Sequence, residues 1–183
     1  MSKLLLLIGC SASGKTTLAN DLESKYGLKA IPSYTTRQPR TPDEKGHTFV
    51  TDEEFNRLEN IIAYAETTGG RYCVTQQMFD DPQYAVYVID NSGIKYLKEN
   101  YKGDREFVVA YITAPLRERF DRMVQRSVDK DDPVGFALER IEHDAVEFRD
   151  VPYDIRIENN NGNYNEALAA LYMFCQQEGV YST

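Results

Sequence analysis

Gly9-Cys10-Ser11-Ala12-Ser13-Gly14-Lys15-Thr16 is the stretch that decides the fold of this chain. The octet is a complete Gly-x-x-x-x-Gly-Lys-Thr signature, and its setting matters as much as its letters. Before it, Lys3 to Gly9 is almost wholly apolar and reads as a strand buried on both faces. After it, Thr16 to Tyr26 carries Leu18, Leu22 and Tyr26 at helical spacing, with Gly27 as its stop. Strand, turn of small residues and helix N-terminus together bring backbone N–H groups and the positive end of the helix dipole to one point, which is what a phosphate needs. Gly9, Ser11, Ala12, Ser13, Gly14, Lys15, Thr16 and Thr17 are therefore the candidate nucleotide-binding residues. Lys15 is expected to reach the β- and γ-phosphates of ATP, and the Thr16 hydroxyl to ligate the Mg²⁺ that accompanies them.

Outward from that point, strand and helix alternate. Ala30 to Tyr34 reads as a short strand, followed by a polar loop over 35–46 in which Pro39 and Pro42 forbid a regular helix. His47 to Val50 is extended, and Thr51-Asp52-Glu53-Glu54 matches a capping box that starts a helix running to about Glu59. Ile61 to Glu66 and Arg71 to Thr75 read as a hairpin. Tyr84 to Ile89, ending at Asp90, and Glu106 to Ile112, closed by Thr113-Ala114-Pro115, are further buried strands. Pro115 to Ser127 and Val134 to Arg149 read as helices flanking the charged turn at 129–133. Ile155 to Ile157 is a last strand, and Tyr164 to Glu178 a last helix with Leu168, Leu171, Tyr172 and Cys175 inward. The fold class is α/β: a three-layer P-loop NTPase fold with a parallel central sheet. One domain spans 1–183. Its core is about 1–32 and 81–183, an inserted acceptor-binding lobe about 33–80, and a helical lid about 126–140.

The formal charge of −8 over 183 residues repels polyanions, so neither nucleic acid nor an anionic membrane is an expected partner. Small phosphorylated ligands are not excluded, because a few arginines make a local positive pocket. Cys10, Cys73 and Cys175 lie far apart, and with only His47 and His143 beside them they give no zinc-binding spacing. A reduced, cytoplasmic protein is expected. The run from Lys3 to Cys10 resembles a signal-peptide core, but its five or so apolar residues fall short of the roughly 7–15 such a core needs.

Two further features bear on chemistry. Asp90, at the end of a hydrophobic run, stands where a strand end faces the site in an α/β sheet; it is a candidate Mg²⁺ partner, or else a plain helix N-cap before Gly93. Arg37 and Arg40, three apart in a proline-bearing loop, are placed to hold a phosphate dianion.

Ser33-Tyr34-Thr35-Thr36-Arg37-Gln38-Pro39-Arg40, with Gly46 and Phe49-Val50 behind it, resembles the Thr-Thr-Arg-x-Pro-Arg segment of the guanylate kinase family. The similarity continues through Asp52 to Phe55, Tyr72, Ile89-Asp90-x-x-Gly93, Ile112 to Pro115, Arg126, Arg140 and Asn159. It implies that Ser33, Arg37, Arg40 and Tyr72 bind an acceptor monophosphate, with Asp90 touching the acceptor or the metal. It further implies that Arg126 and Arg140 clamp the transferring phosphate or the adenine, and that Asn159 lies near the adenine. Lys15, Arg37, Arg126 and Arg140 are then the expected catalytic cations. The implied activity is transfer of the ATP γ-phosphate to a nucleoside monophosphate, GMP or dGMP first. Ala63, however, stands where the family places a guanine-reading Glu, Val74 where it places a Ser or Thr, and His47 where it places a Tyr. Glu66 and Thr75 are the nearest substitutes. Another or modified nucleotide, or a sugar phosphate, is the alternative acceptor. An inactive, protein-binding guanylate-kinase-like module is the alternative of another class, though such a module has no need of an intact phosphate loop.

Overall fold

The computed structural model describes residues 2–39, 42–67, 69–128 and 130–182. Strand β1 (Leu4–Ile8) is buried at all five positions and lies inside a parallel sheet. Its neighbours are β6 (Val86–Val88) on one side and β7 (Phe107–Thr113) on the other, with β8 (Ile155–Glu158) beyond β7. Because successive side chains point to opposite faces, Leu5 and Leu7 pack on one face, with Leu18 and Leu22 of α1 (Lys15–Tyr26) and Leu168, Leu171 and Phe174 of α7 (Tyr164–Glu178). Leu4, Leu6 and Ile8 enter a second cluster with Phe79 of α3 (Gln76–Asp80) and with Ile94 and Leu97 of α4 (Asn91–Asn100). A strand covered on both faces needs no alternation, which is why β1 reads as a continuous apolar run.

A second four-stranded sheet is built from 33–75. Its order is β3 (His47–Phe49), β2 (Ser33–Thr35), β5 (Gly70–Thr75), β4 (Ile61–Thr67). β2 runs parallel to β3 and antiparallel to β5. The single strand expected over Ala30 to Tyr34 is in fact divided. Ala30 makes an isolated bridge to Val86 at the central sheet, whereas Ser33 begins a strand of the second sheet. Pro32, which has no N–H to give to a ladder, sits at the break. The capping box at Thr51 forms on both sides, Glu54 N–H to the Thr51 hydroxyl at 3.2 Å and Thr51 N–H to the Glu54 carboxylate at 2.8 Å. Helix α2 (Asp52–Phe55) nevertheless stops four residues short of Glu59. Helix α3, directly after the hairpin, was not anticipated, because five residues carry too little periodicity to be read. Helices α5 (Leu116–Arg126) and α6 (Pro133–Glu147) pack on each other. Among the described residues no helix is long and apolar enough to cross a membrane.

One buried cation belongs to the frame and not to a site. Arg105 is 2% exposed, and its guanidinium donates to the backbone oxygens of Ser2, Phe79, Asp81 and Tyr84 at 2.5–3.1 Å. These carbonyls come from the N-terminus and the segment before β6, so one side chain ties several chain passes together. Arg105→Met is expected to leave these oxygens buried and unpaired, costing about 3 kcal/mol in urea unfolding.

Candidate active site

The phosphate loop, 9–16, joins β1 to α1 through backbone that only certain residues accept. Gly9 has φ 145° and Gly14 φ 94°, and Ala12 enters the left-handed region at φ 60°. Space enforces the same choice: a Cβ on Gly9 would strike the Ile112 carbonyl, and one on Gly14 the Asn159 amide. Asn159, 3% exposed at the end of β8, receives its position from its own N–H to Thr113 O at 2.7 Å and gives Nδ2 to Ser13 O at 2.8 Å. It therefore buttresses the loop from behind. Lys15 crosses beneath the loop, its Nζ donating to Gly9 O at 2.6 Å and Cys10 O at 3.0 Å. Lys15 is half-buried along its length, but its ammonium is enclosed. That enclosure pushes its pKa from the ordinary 10.5 to about 8, against the opposing pull of the Asp144 and Asp90 carboxylates. Thr16 and Thr17 are exposed at the start of α1.

The donor set fits a nucleotide phosphate with its cation. The buried Ser13 hydroxyl has no hydrogen-bond partner among the described residues, as expected of a group whose natural partner is a ligand. No cluster of three or more His, Cys, Asp or Glu is placed to cage a metal among these residues. A Mg²⁺ that keeps waters and arrives on phosphate oxygens needs only Thr16 and a nearby carboxylate. Asp90 caps α4, with Oδ1 accepting from Gly93 N–H at 2.6 Å and the Ser92 hydroxyl at 3.0 Å. It also lies close enough to Lys15 to act on its charge. The N-cap is thus built, and it fixes the carboxylate at the end of β6 facing the loop.

Arginines of α5 and α6 surround the loop's outer side. Arg140 donates from Nε and Nη2 to Ser11 Oγ at 3.2 and 2.9 Å. Arg126, exposed at the end of α5, is near enough to push the Lys15 pKa down. Three residues not singled out from the sequence join them. Arg119 donates to Ser11 O at 3.1 Å and to Asp144 at 3.0 Å, and Arg122 to Ala12 O at 3.1 Å. Asp144 accepts from the Ser11 N–H at 2.7 Å. A signal was there to be used: positions 119, 122 and 126 recur at i, i+3 and i+7 on one face of α5, and 140 and 144 share a face of α6.

The second sheet carries the residues expected to bind the acceptor. Arg37 Nε donates to the Tyr72 hydroxyl at 3.0 Å, joining two of the expected acceptor residues. Its other nitrogens hold Glu44 at 2.7 and 3.2 Å, and that pairing raises the Arg37 pKa. Ser33 and His47, paired across β2 and β3, share a hydrogen bond of 2.9 Å between Oγ and Nδ1. Arg40 lies outside the described residues. Val74 and Ala63 are register partners, both 0% exposed and both within the apolar cluster of Phe79, Tyr87 and Ile94. Glu66 and Tyr64, two apart on β4, are on the opposite face, where the Tyr64 hydroxyl donates to Glu66 at 2.8 Å. Thr75, adjacent to Val74, likewise faces away from it and precedes α3.

A parallel sheet with a complete phosphate loop after its interior strand β1, arginines of α5 and α6 bonded to that loop, and a second sheet built from 33–75 make the frame of a P-loop phosphotransferase. The sequence model of the guanylate kinase family matches residues 1–178. The chain is 30% identical over 169 residues to a guanylate kinase of Geobacter metallireducens, covering 86% of this chain and 80% of that one. It is 28% identical over 156 residues to one of Chlamydia caviae, covering 79% and 74%. Its fold matches the crystal structure of guanylate kinase from Anaplasma phagocytophilum with a TM-score of 0.60 at 23% identity, covering 98% of this chain and 88% of that one. The chain belongs to the guanylate kinase family, whose members are nucleoside monophosphate kinases.

The low Lys15 pKa makes a test. A bound phosphate favours the charged ammonium and returns its pKa toward 10.5, so ATP binding near pH 8.5 is expected to take up a proton. Titration calorimetry in two buffers of different ionisation enthalpy should show that uptake, and Lys15→Met should lose it.

Proposed function

We propose that the chain transfers the γ-phosphoryl group of Mg²⁺-bound ATP to the 5′-phosphate of a nucleoside monophosphate, with GMP or dGMP the first choice. The observation that carries this reading is the intact phosphate loop, with Lys15 beneath it and Arg119, Arg122 and Arg140 bonded to its outer side. The attacking phosphate oxygen is already ionised, so no general base is needed. Positioning and charge neutralisation suffice. Thr16 and Asp90 would hold the Mg²⁺, which neutralises charge on the β- and γ-phosphates. Gly9 to Thr17 cradle ATP, with Asn159 fixing the loop. Ser33, Arg37, Arg40 and Tyr72 receive the acceptor phosphate. Region 33–80 acts as the acceptor lobe and 126–140 as the lid. Closure of the two over the core excludes the water that would otherwise take the phosphoryl group.

A second reading, the same chemistry on an acceptor without guanine, rests on Ala63 and Val74. Guanine offers N–H donors that need a buried acceptor, and both positions are apolar and closed. Neither Glu66 nor Thr75 faces that side of the sheet. The three described free cysteines, two of them held by burial as thiols with pKa pushed up to about 12, fit a reducing, cytoplasmic setting.

A coupled assay of ADP release with ATP and Mg²⁺ tests both readings across GMP, dGMP, the other monophosphates and ribose phosphates. Selective turnover of GMP or dGMP is expected; turnover confined to another acceptor would establish the second reading. Lys15→Met should lower kcat by about 10²–10³-fold or more, in line with loss of a single positioned donor to a developing charge. Full activity in that variant would overturn the phosphotransferase assignment. An inert protein that also gains no thermal stability from ATP would be the protein-binding module instead.

A further inference from the structure

Asp144 sits against the phosphate loop as phosphoryl transfer does not require. It is 2% exposed on α6, with both carboxylate oxygens turned to Ser11. Oδ2 accepts the Ser11 N–H at 2.7 Å and Oδ1 the Ser11 hydroxyl at 3.2 Å. Arg119 closes the arrangement, Nη2 on Oδ2 at 3.0 Å and Nε on Ser11 O at 3.1 Å. Arg140, one turn earlier on α6, holds the same hydroxyl. Ser11 is the third residue of the signature, and its N–H belongs to the set that the loop offers to phosphate. A carboxylate that accepts this N–H, pairs with a guanidinium and acts on the charge of Lys15 makes the contacts of a phosphate oxygen.

We propose that Asp144 is an internal occupant of the phosphate loop, displaced by the terminal phosphate of ATP, and that Arg119 passes from Asp144 to that phosphate as a further phosphate-binding residue. The inference rests on the reading of the loop as the ATP site. Two anions cannot share one N–H donor and one guanidinium in a place that water does not screen. The terminal phosphate carries more charge than the carboxylate and brings its own Mg²⁺, so the carboxylate is the one that leaves. Its departure frees Arg119 and leaves Arg140 holding the Ser11 hydroxyl from α6, so that ATP entry and the placement of Arg140 become one event. Before ATP enters, Arg119 is neutralised by Asp144. The apparent affinity for ATP is the intrinsic affinity multiplied by the fraction of molecules in which Asp144 is unseated.

Asp144→Asn keeps the shape and an accepting oxygen but removes the charge. With Mg²⁺ present it is expected to lower the calorimetric Kd for ATP about tenfold, as when roughly one molecule in ten is competent before the change. The KM for the acceptor should stay constant. Arg119→Met should weaken ATP binding in both backgrounds. Unchanged or weaker ATP binding in Asp144→Asn overturns the proposal and makes Asp144 a fixed anchor. A crystal structure of the wild-type protein with a non-hydrolysable ATP analogue decides independently of how the variants fold. The Asp144–Ser11 contact should be gone and Arg119 within hydrogen-bond reach of the terminal phosphate; a persisting 2.7 Å contact overturns the inference. A wild-type protein that binds no ATP would overturn the proposed function as well, whereas ATP bound with Asp144 still seated would overturn this inference alone.

Discussion

A loop that turns its backbone N–H groups toward one point cannot satisfy them from within, and the rest of this molecule is arranged around that constraint. The strand that enters the loop must be rigid, so β1 is buried on both faces with parallel neighbours on either side. The helix that leaves it must start at Lys15, so Gly14 takes φ 94° and yields its side-chain space to Asn159. The loop's carbonyls, pointing the other way, need donors: Lys15 serves Gly9 and Cys10, Arg119 serves Ser11, Arg122 serves Ala12 and Asn159 serves Ser13. Four different elements are therefore committed to eight residues.

The same account explains why two arginines of the site are paired with carboxylates. Arg37 is held by Glu44 and Arg119 by Asp144, with side-chain exposures of 11% and 16% in the first pair and 11% and 2% in the second. A partly buried guanidinium without a partner costs several kcal/mol, whereas a buried ion pair roughly breaks even against its desolvation. Such pairs contribute little net stability, so they can be exchanged for a phosphate at small net cost. Arg105 shows the opposite solution. Its donors end on backbone carbonyls, which no ligand can replace, so it is fixed.

Legibility in the sequence followed the range of the determining interaction. The octet at Gly9, the all-apolar β1 and the capping box at Thr51 are local, and the structure has them where the residues put them. The division at Pro32 was not legible, because it depends on Ala30 finding Val86 and Ser33 finding His47. Helix α2 ends early for a related reason: tertiary packing of Phe55 and the positive φ of Asn60 outrank the propensity of 56–59. At the site, family resemblance alone singled out Arg126 and Arg140, and Arg119 and Asp144 escaped notice. A charged residue on an amphipathic helix looks like a solvated face until another element covers it.

Phosphate recognition and base recognition differ in how many residues carry them, and the difference accounts for how unevenly the site follows its family. The phosphate loop is held by its backbone geometry and by Lys15 of α1, Arg119 and Arg122 of α5, Arg140 of α6 and Asn159 after β8, so its frame is spread over many residues. A base is read by one or two side chains on a sheet that is otherwise free to vary. Ala63 and Val74 face each other across β4 and β5 in line with Ser33, and both have merged with the core beneath them. On that side buried Ser33 bonds half-buried His47, whose ring packs edge-on against Tyr72, and Thr35 pairs with Tyr72 further along. The side chains that face the opposite way, Tyr64 and Glu66, are bonded to each other and take no part in that row.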